Sequence, residues 1–200
     1  MVATDLGNLG TAQEHIQLGL ELINKLGAQR FVSRFLLSQA RVALVEGRLV
    51  DAAPLLEEGI MISKETGIGY VGAAIFGALA LTHKDVNKRE SYLKEGEEIL
   101  HGGCVSHNYF EFYQDAMETC LELGDWQRVN HYASALDKFT QAEPLPRTDF
   151  FIARGRILAL FGQGNRDHST IQELQRLHDE ANNVGLKYAL PAIKSALSAA

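Results

Sequence analysis

The sequence predicts an all-α protein made of about five helical hairpins stacked in order. Two observations about its breaks and one about its periodicity predict this. Turn chemistry recurs roughly every 38 residues, at Gly47, at Lys84 and Asp85, at Gly124 and at Gly162 to Gly164. A second set of breaks interleaves with the first: Gly27, Gly67, Gly102 and Gly103, Pro144 and Pro146, and Gly185. Between breaks, apolar residues fall at spacings of three and four, the period of a helix with one buried face, and no run alternates with the period of two that a strand needs. A repeat of this length with helix-forming sequence on both sides of each turn marks stacked hairpins.

Each helix follows from its own stripe. Ile16, Leu20, Ile23 and Leu26 define the first, which ends at Gly27. Phe31, Phe35, Leu36, Ala40, Ala43 and Leu44 define the second, stopped by Gly47 because glycine takes a left-handed conformation without strain. Leu49, Ala52, Ala53, Leu56, Ile60 and Ser63 make the third, with Pro54 expected in its first turn, where a missing N–H costs nothing. The fourth, from about Gly69 to Leu81, is rich in glycine and alanine, which predicts a very close neighbour. Tyr92, Leu93, Ile99 and Leu100 mark a weaker fifth. The sixth runs from about Asn108 to Leu123, with Asn108 and Glu111 spaced as a capping box.

Asp125 is placed to cap the seventh helix, whose buried face is Val129, Tyr132, Ala133, Leu136 and Phe139. Pro144 and Pro146 enforce an extended connection. The eighth starts at Thr148 or Asp149 and carries Phe151, Ile152, Ile157, Leu158 and Phe161. Ile171, Leu174, Leu177, Ala181 and Val184 give the ninth, and Tyr188, Leu190, Ile193 and Leu197 a short tenth.

Composition narrows the function classes. The chain has 200 residues, 46% hydrophobic and 22% charged, with a formal net charge of -6. That length suits a single helical-repeat domain over 1–200, with a core and without metals or disulfides. Net acidity, with a pI near 5.6, argues against nucleic acid as a partner, since such a footprint is basic. The two cysteines form no Cys-x-x-Cys pair, so a reducing compartment is expected. The longest apolar run, from Tyr70 to Leu81, is too short to span a bilayer, so no membrane association is expected. The start MVATDLGNLG has no basic, apolar leader, which makes the cytoplasm the expected location.

The segment GRLVDAAPLLEEGI, Gly47 to Ile60, resembles tetratricopeptide-like repeats in its turn glycine, Leu49, Asp51, Ala52, Leu55, Leu56 and Glu57. LGDWQRVNHYASAL, Leu123 to Leu136, repeats the pattern. The resemblance implies a right-handed α-α superhelix whose concave groove is lined mainly by the first, or A, helix of each pair. The spacing here exceeds that family's usual repeat, which implies lengthened, degenerate copies. The stretch from His107 to Gly164, followed by Leu174 to Ile193, is similar to the C-terminal repeat region of bacterial signalling proteins that join a class III adenylate or guanylate cyclase to an ATPase module. This implies that the chain is the tail of a longer parent. It contains no Gly-x-x-x-x-Gly-Lys-Ser/Thr phosphate loop.

Four carboxylates, Glu111, Asp115, Glu118 and Glu122, lie along one face of the sixth helix. The plainer reading is the solvated side of an amphipathic helix. A second is a stripe that captures a basic peptide, and a third pairs Asp115 or Glu118 with Arg154 of the eighth helix. Arginines flank the stripe in sequence: Arg30, Arg34 and Arg41 before it, Arg147, Arg154 and Arg156 after it. In the aromatic cluster, Tyr109, Tyr113, Ala116 and Cys120 read as core, and Phe110 reads as packed into the adjoining hairpin rather than pointing towards the groove. Trp126 reads as a wedge between helices rather than an exposed anchor.

No metal is expected, because Cys104 and His107 form one ligand pair where a zinc site needs four ligands. His107 and Asp115 lie about 12 Å apart along a helix, too far for a catalytic pair. The candidate binding residues of the groove are therefore Arg30, Arg34, Tyr70, His107, Glu111, Asp115, Arg147, Asp149 and Arg154. No catalytic residue and no cofactor is assigned. The expected function is a non-catalytic interaction and regulatory module binding a protein segment, or another part of its own parent. The alternative is a sensor of a small-molecule effector. The first helix is expected to leave an uncapped end through which two copies could dimerise.

Overall fold

The computed structural model describes Thr4 and residues 6–200. The reading of the N-terminal segment falls partly on residues 1–3 and 5, which lie outside the described residues. Among the described residues ten α-helices longer than one turn follow one another, packed in neighbouring pairs, and there is no strand. They are α1 (Leu9–Leu26), α2 (Val32–Val45), α3 (Leu49–Thr66), α4 (Gly72–Thr82), α5 (Val86–His101), α6 (His107–Leu123), α7 (Trp126–Thr140), α8 (Pro146–Gly162), α9 (His168–Val184) and α10 (Leu190–Ser198). Single 3-10 turns at Gln29–Phe31, Ile68–Tyr70 and Lys187–Ala189 lead into α2, α4 and α10.

Three of the turns share one device. Asp85, Asp125 and Asp167 stand at the N-caps of α5, α7 and α9, where each carboxylate accepts backbone N–H bonds from the first turn. The unpaired amides of a helix start are thereby satisfied. At Asp167 these bonds hold the carboxyl down at about 2. Helices α2, α6 and α8 close on glycine where the chain must reverse, as at Gly47 (φ 74°) and Gly124 (φ 71°), whereas α4 runs through an extended His83 into Asp85.

Contacts divide the chain into two compact units, one of Asn8–Asp115 and the other of Ala116–Ala200 with Leu6 and Gly7, the boundary falling inside α6. In the first unit α2 packs on α3, α3 on α4 and α4 on α5, around a core that includes Leu37, Leu56, Ile75 and Leu79. Helix α4 is its centre: every residue from Gly72 to Leu81 is buried. A helix apolar on all sides has no solvent face. In the second unit α7 packs on α8, and α9 and α10 close over α8 around Phe151, Leu174, Leu177 and Ile193. There Trp126 does wedge between helices, its ring lying where a Cβ on Gly162 would sit, 2.5 Å from the nearest ring carbon.

Several details depart from expectation. Leu26 is 70% exposed and Phe31 43%, and Phe139 and Val184 also face solvent. The stripe rule overextends each helix at its end, where the chain turns off the core. Helix α8 begins at Pro146, whose ring suits the first position, rather than at Thr148 or Asp149. Pro54 is the sixth residue of α3, beyond the first turn, so the Val50 carbonyl loses its helical donor at an exposed position. The aromatic face of α6 centres on the fully buried Phe112, with Tyr109 and Tyr113 half-buried beside it.

Phe112 fits only because Gly96 of α5 lacks a side chain. A Cβ there would stand 2.1 Å from the ring. In an exposed helix Gly→Ala stabilises by about 1 kcal/mol, but here the overlap must displace a fully enclosed ring, and overpacking costs about 1–3 kcal/mol. Gly96→Ala is therefore expected to lower the urea midpoint despite its better helix propensity. A raised midpoint would place the Phe112 ring elsewhere.

Candidate functional site

Arg34 and Arg41 are seven residues apart on α2, so they share a face. Glu111 and Asp115, four apart on α6, share another. Helix α4 lies between these elements, and its small residues let them meet. A Cβ on Gly77 would lie 3.2 Å from the Phe112 Cα and 3.2 Å from the Asp115 Cβ, so α6 approaches α4 at backbone distance. Across this thinned helix the Arg41 fork donates to Asp115, Nη1 to Oδ1 at 3.1 Å and Nη2 to Oδ2 at 2.8 Å. The same Nη2 reaches Glu111 Oε2 at 3.3 Å, and Arg34 Nη1 donates to that oxygen at 2.9 Å.

At Glu111 and Asp115 the carboxylate stripe is thus not a solvated face and offers nothing to a basic peptide, while Glu118 is half-buried against Arg154, as the third reading has it, and Glu122 is exposed. Glu111 is 2% exposed and Asp115 0%. Burial pushes the Glu111 carboxyl up, but Arg41 and Arg34 outweigh it and hold the group below its ordinary range. The capping box is also not formed, because Glu111 faces arginine. Asn108, fully buried, instead clamps the start of α4: its Oδ1 accepts from the Ala74 N–H at 3.2 Å and its Nδ2 donates to the Tyr70 carbonyl at 2.9 Å.

Above these pairs lies a second layer that is partly open. The Tyr70 ring stands edge-on to Phe31 and to His107, with centroids 5.6 Å away in both cases, and the Arg30 guanidinium lies 4.8 Å over it. His107 hydrogen-bonds to the Tyr70 backbone. Its burial, and next Arg34, push the imidazole below its ordinary value, so it is neutral at pH 7. Arg30 and Phe31 are exposed, while Arg34, Tyr70 and His107 are half-buried.

Six of the nine expected groove residues, Arg30, Arg34, Tyr70, His107, Glu111 and Asp115, therefore come together in the first unit. The other three belong to the second and serve separate ends. Arg154 is 2% exposed and not a groove residue: it pairs with Glu118, its Nη2 meeting Oε2 at 3.3 Å, and its Nε donates to the Ala189 carbonyl at 3.0 Å. Arg147 lies 4.9 Å over the Phe151 ring, and Asp149 is exposed in the first turn of α8. Sequence reasoning undervalued Arg41, for which the signal was its spacing of seven from Arg34, and misplaced Phe31 as core. Burial raises the Cys104 thiol above its usual range, with the Tyr109 hydroxyl as its hydrogen-bond partner. Among the described residues no three His, Cys, Asp or Glu side chains gather as metal ligands, and no helix is long and apolar enough to cross a membrane.

Removing one member of a buried pair strands the other, at a cost of about 3–5 kcal/mol. Arg41→Met is expected to destabilise by that order in urea unfolding, and Arg41→Met with Asp115→Asn to recover part of the loss; strictly additive losses would mean the two do not interact. The pH dependence follows the same logic. A folded carboxyl held low contributes fully above its unfolded value near 4.3 and loses that contribution as pH falls through the folded one. His107, held neutral, acts in the same sense from about pH 6.5 downward. Urea midpoints should accordingly decline from pH 7 towards pH 5 and again below pH 4.5, with the lower limb flattened in Glu111→Gln.

Compared with protein-family models, curated proteins and solved structures, the chain finds no match in any of the three.

Proposed function

We propose that this chain is a non-catalytic interaction and regulatory module: a tetratricopeptide-like right-handed superhelix that binds a protein segment on the face of its A helices. The observation that carries this reading is the convergence of Arg30, Phe31, Arg34, Tyr70 and His107, from the leading turns of three successive A helices, on one partly open surface. Aromatic and arginine side chains are the residues that dominate binding energy at protein interfaces. Buried arginine–carboxylate pairs beneath them fix their spacing, and a preorganised surface lowers the entropic cost of association. The alternation of short-turned A and B helices supports the repeat reading. The similarity to cyclase–ATPase tails makes such a parent the source of the segment, in cis or in trans.

A second reading, an effector-sensing domain, draws support from a cleft of about 620 Å³ between α1, α2 and α3, lined by Gln13, Gln17, Gln39, Leu20, Val42 and Leu55. Its size falls in the range of small-molecule sites. The outer side of α1 presents Leu18, Leu22 and Leu26 to solvent, the end through which two copies would dimerise.

Peptide arrays covering the parent, followed by titration calorimetry, test the first reading. Binding that Tyr70→Ala weakens by about 1–2 kcal/mol, without loss of fold, is the expected result. A thermal-shift screen of metabolites tests the second, since a ligand selective for the folded state raises its melting temperature. A metabolite that stabilises the chain while no peptide binds would displace the first reading in favour of the second.

A further inference from the structure

We infer that the segment taken by this surface is acidic, carrying a carboxylate beside an apolar residue; the inference rests on the interaction reading above and gives it a chemistry. One of the three readings of the sequence spacing was the opposite, an acidic stripe for a basic peptide. The structure reverses the sign because the acids are turned inward. Glu111 and Asp115 are buried and ion-paired with Arg34 and Arg41. What faces outward from the same cluster is cationic.

The charges can be counted. Arg30, Arg34 and Arg41 supply three positive charges, Glu111 and Asp115 two negative, and His107 is neutral at pH 7, leaving one net positive charge. The chain as a whole carries -6. The excess sits on Arg30, which no carboxylate among the described residues contacts and which is held over the Tyr70 ring at 4.8 Å. A guanidinium stacked in this way keeps its edge N–H donors for a carboxylate, the geometry in which arginine binds most strongly. Arg34 gives Nη1 to Glu111 and remains 24% exposed along the same edge. Beside them Phe31, 43% exposed, and the Tyr70 ring offer an apolar floor. A basic segment would meet Arg30 and Arg34 first, and like charges at an interface are repelled.

The test uses the full chain and three peptides of equal length that share one Phe and differ in carrying Glu, Gln or Lys around it. Calorimetry should show the Glu peptide binding tightest, with affinity falling as salt rises. Arg30→Glu should weaken it roughly tenfold, while Arg30→Lys retains part of the affinity. Since Arg30 is exposed, unchanged thermal unfolding of both variants checks that the fold is kept. Preference for the Lys or Gln peptide would overturn the acidic assignment and leave the interaction reading standing. Glu-peptide binding indifferent to Arg30→Glu would also overturn it, by placing the contact elsewhere. Failure of all three peptides to bind would overturn both.

Discussion

The first unit is organised around a fork of two hydrogen bonds, from Arg41 to Asp115, that passes a helix lying between its two ends. Two carboxylates in a protein interior are costly, because their hydration is lost, and they are tolerated only when cations with good geometry replace the water. Arg41 and Arg34 do so, yet neither could reach α6 if α4 had the girth of an ordinary helix. Gly77 removes the side chain at the point of closest approach, and the alanines around it keep the rest of α4 slim. Composition of one helix and charge placement on two others are therefore a single constraint. A bulky residue at position 77 would separate the charges, and an arginine lost from α2 would leave the slim helix with an uncompensated acid on its far side.

The second unit solves a related problem with the polarity exchanged. There the arginine is the enclosed partner: Arg154 is nearly inaccessible and divides its donors between Glu118 and the Ala189 carbonyl, while Glu118 keeps some contact with water. Its neighbour Gly155 plays the part of Gly77, since a Cβ there would stand 2.9 Å from the Met117 sulfur. In both units a glycine in an A helix permits close packing beside a buried ion pair. Pairs of this kind add less to net stability than to specificity of arrangement, because a slipped register leaves charges unmatched.

How much of this was legible in the sequence depended on the range of the signal. The helix count and most boundaries came from local chemistry: glycine where the backbone turns left-handed, and aspartate where a helix start needs an acceptor, as at Asp125. The crowding of α4 was also visible, since a run of Gly and Ala has no local explanation. What crowded it was not. Asp115 and Arg41 are 74 residues apart, and a rule that assigns charged residues to solvent has no access to a partner at that distance. The same blindness hid the role of Asn108, read as a cap for its own helix while its amide fastens the beginning of another. Leu26 and Phe31 failed for a simpler reason: periodicity marks a face, but does not say where along the helix the neighbouring core ends.

The ionised state of Glu111 inside the protein is the most direct check on the cluster. Carbon-13 NMR of the side-chain carboxyl, followed through an acid titration of the folded chain, reports it without perturbing the site. A midpoint below the ordinary value near 4.3 is what the arginine pairing predicts. A midpoint at that ordinary value would mean that the carboxylate sits in water, and that no charge cluster spans α4.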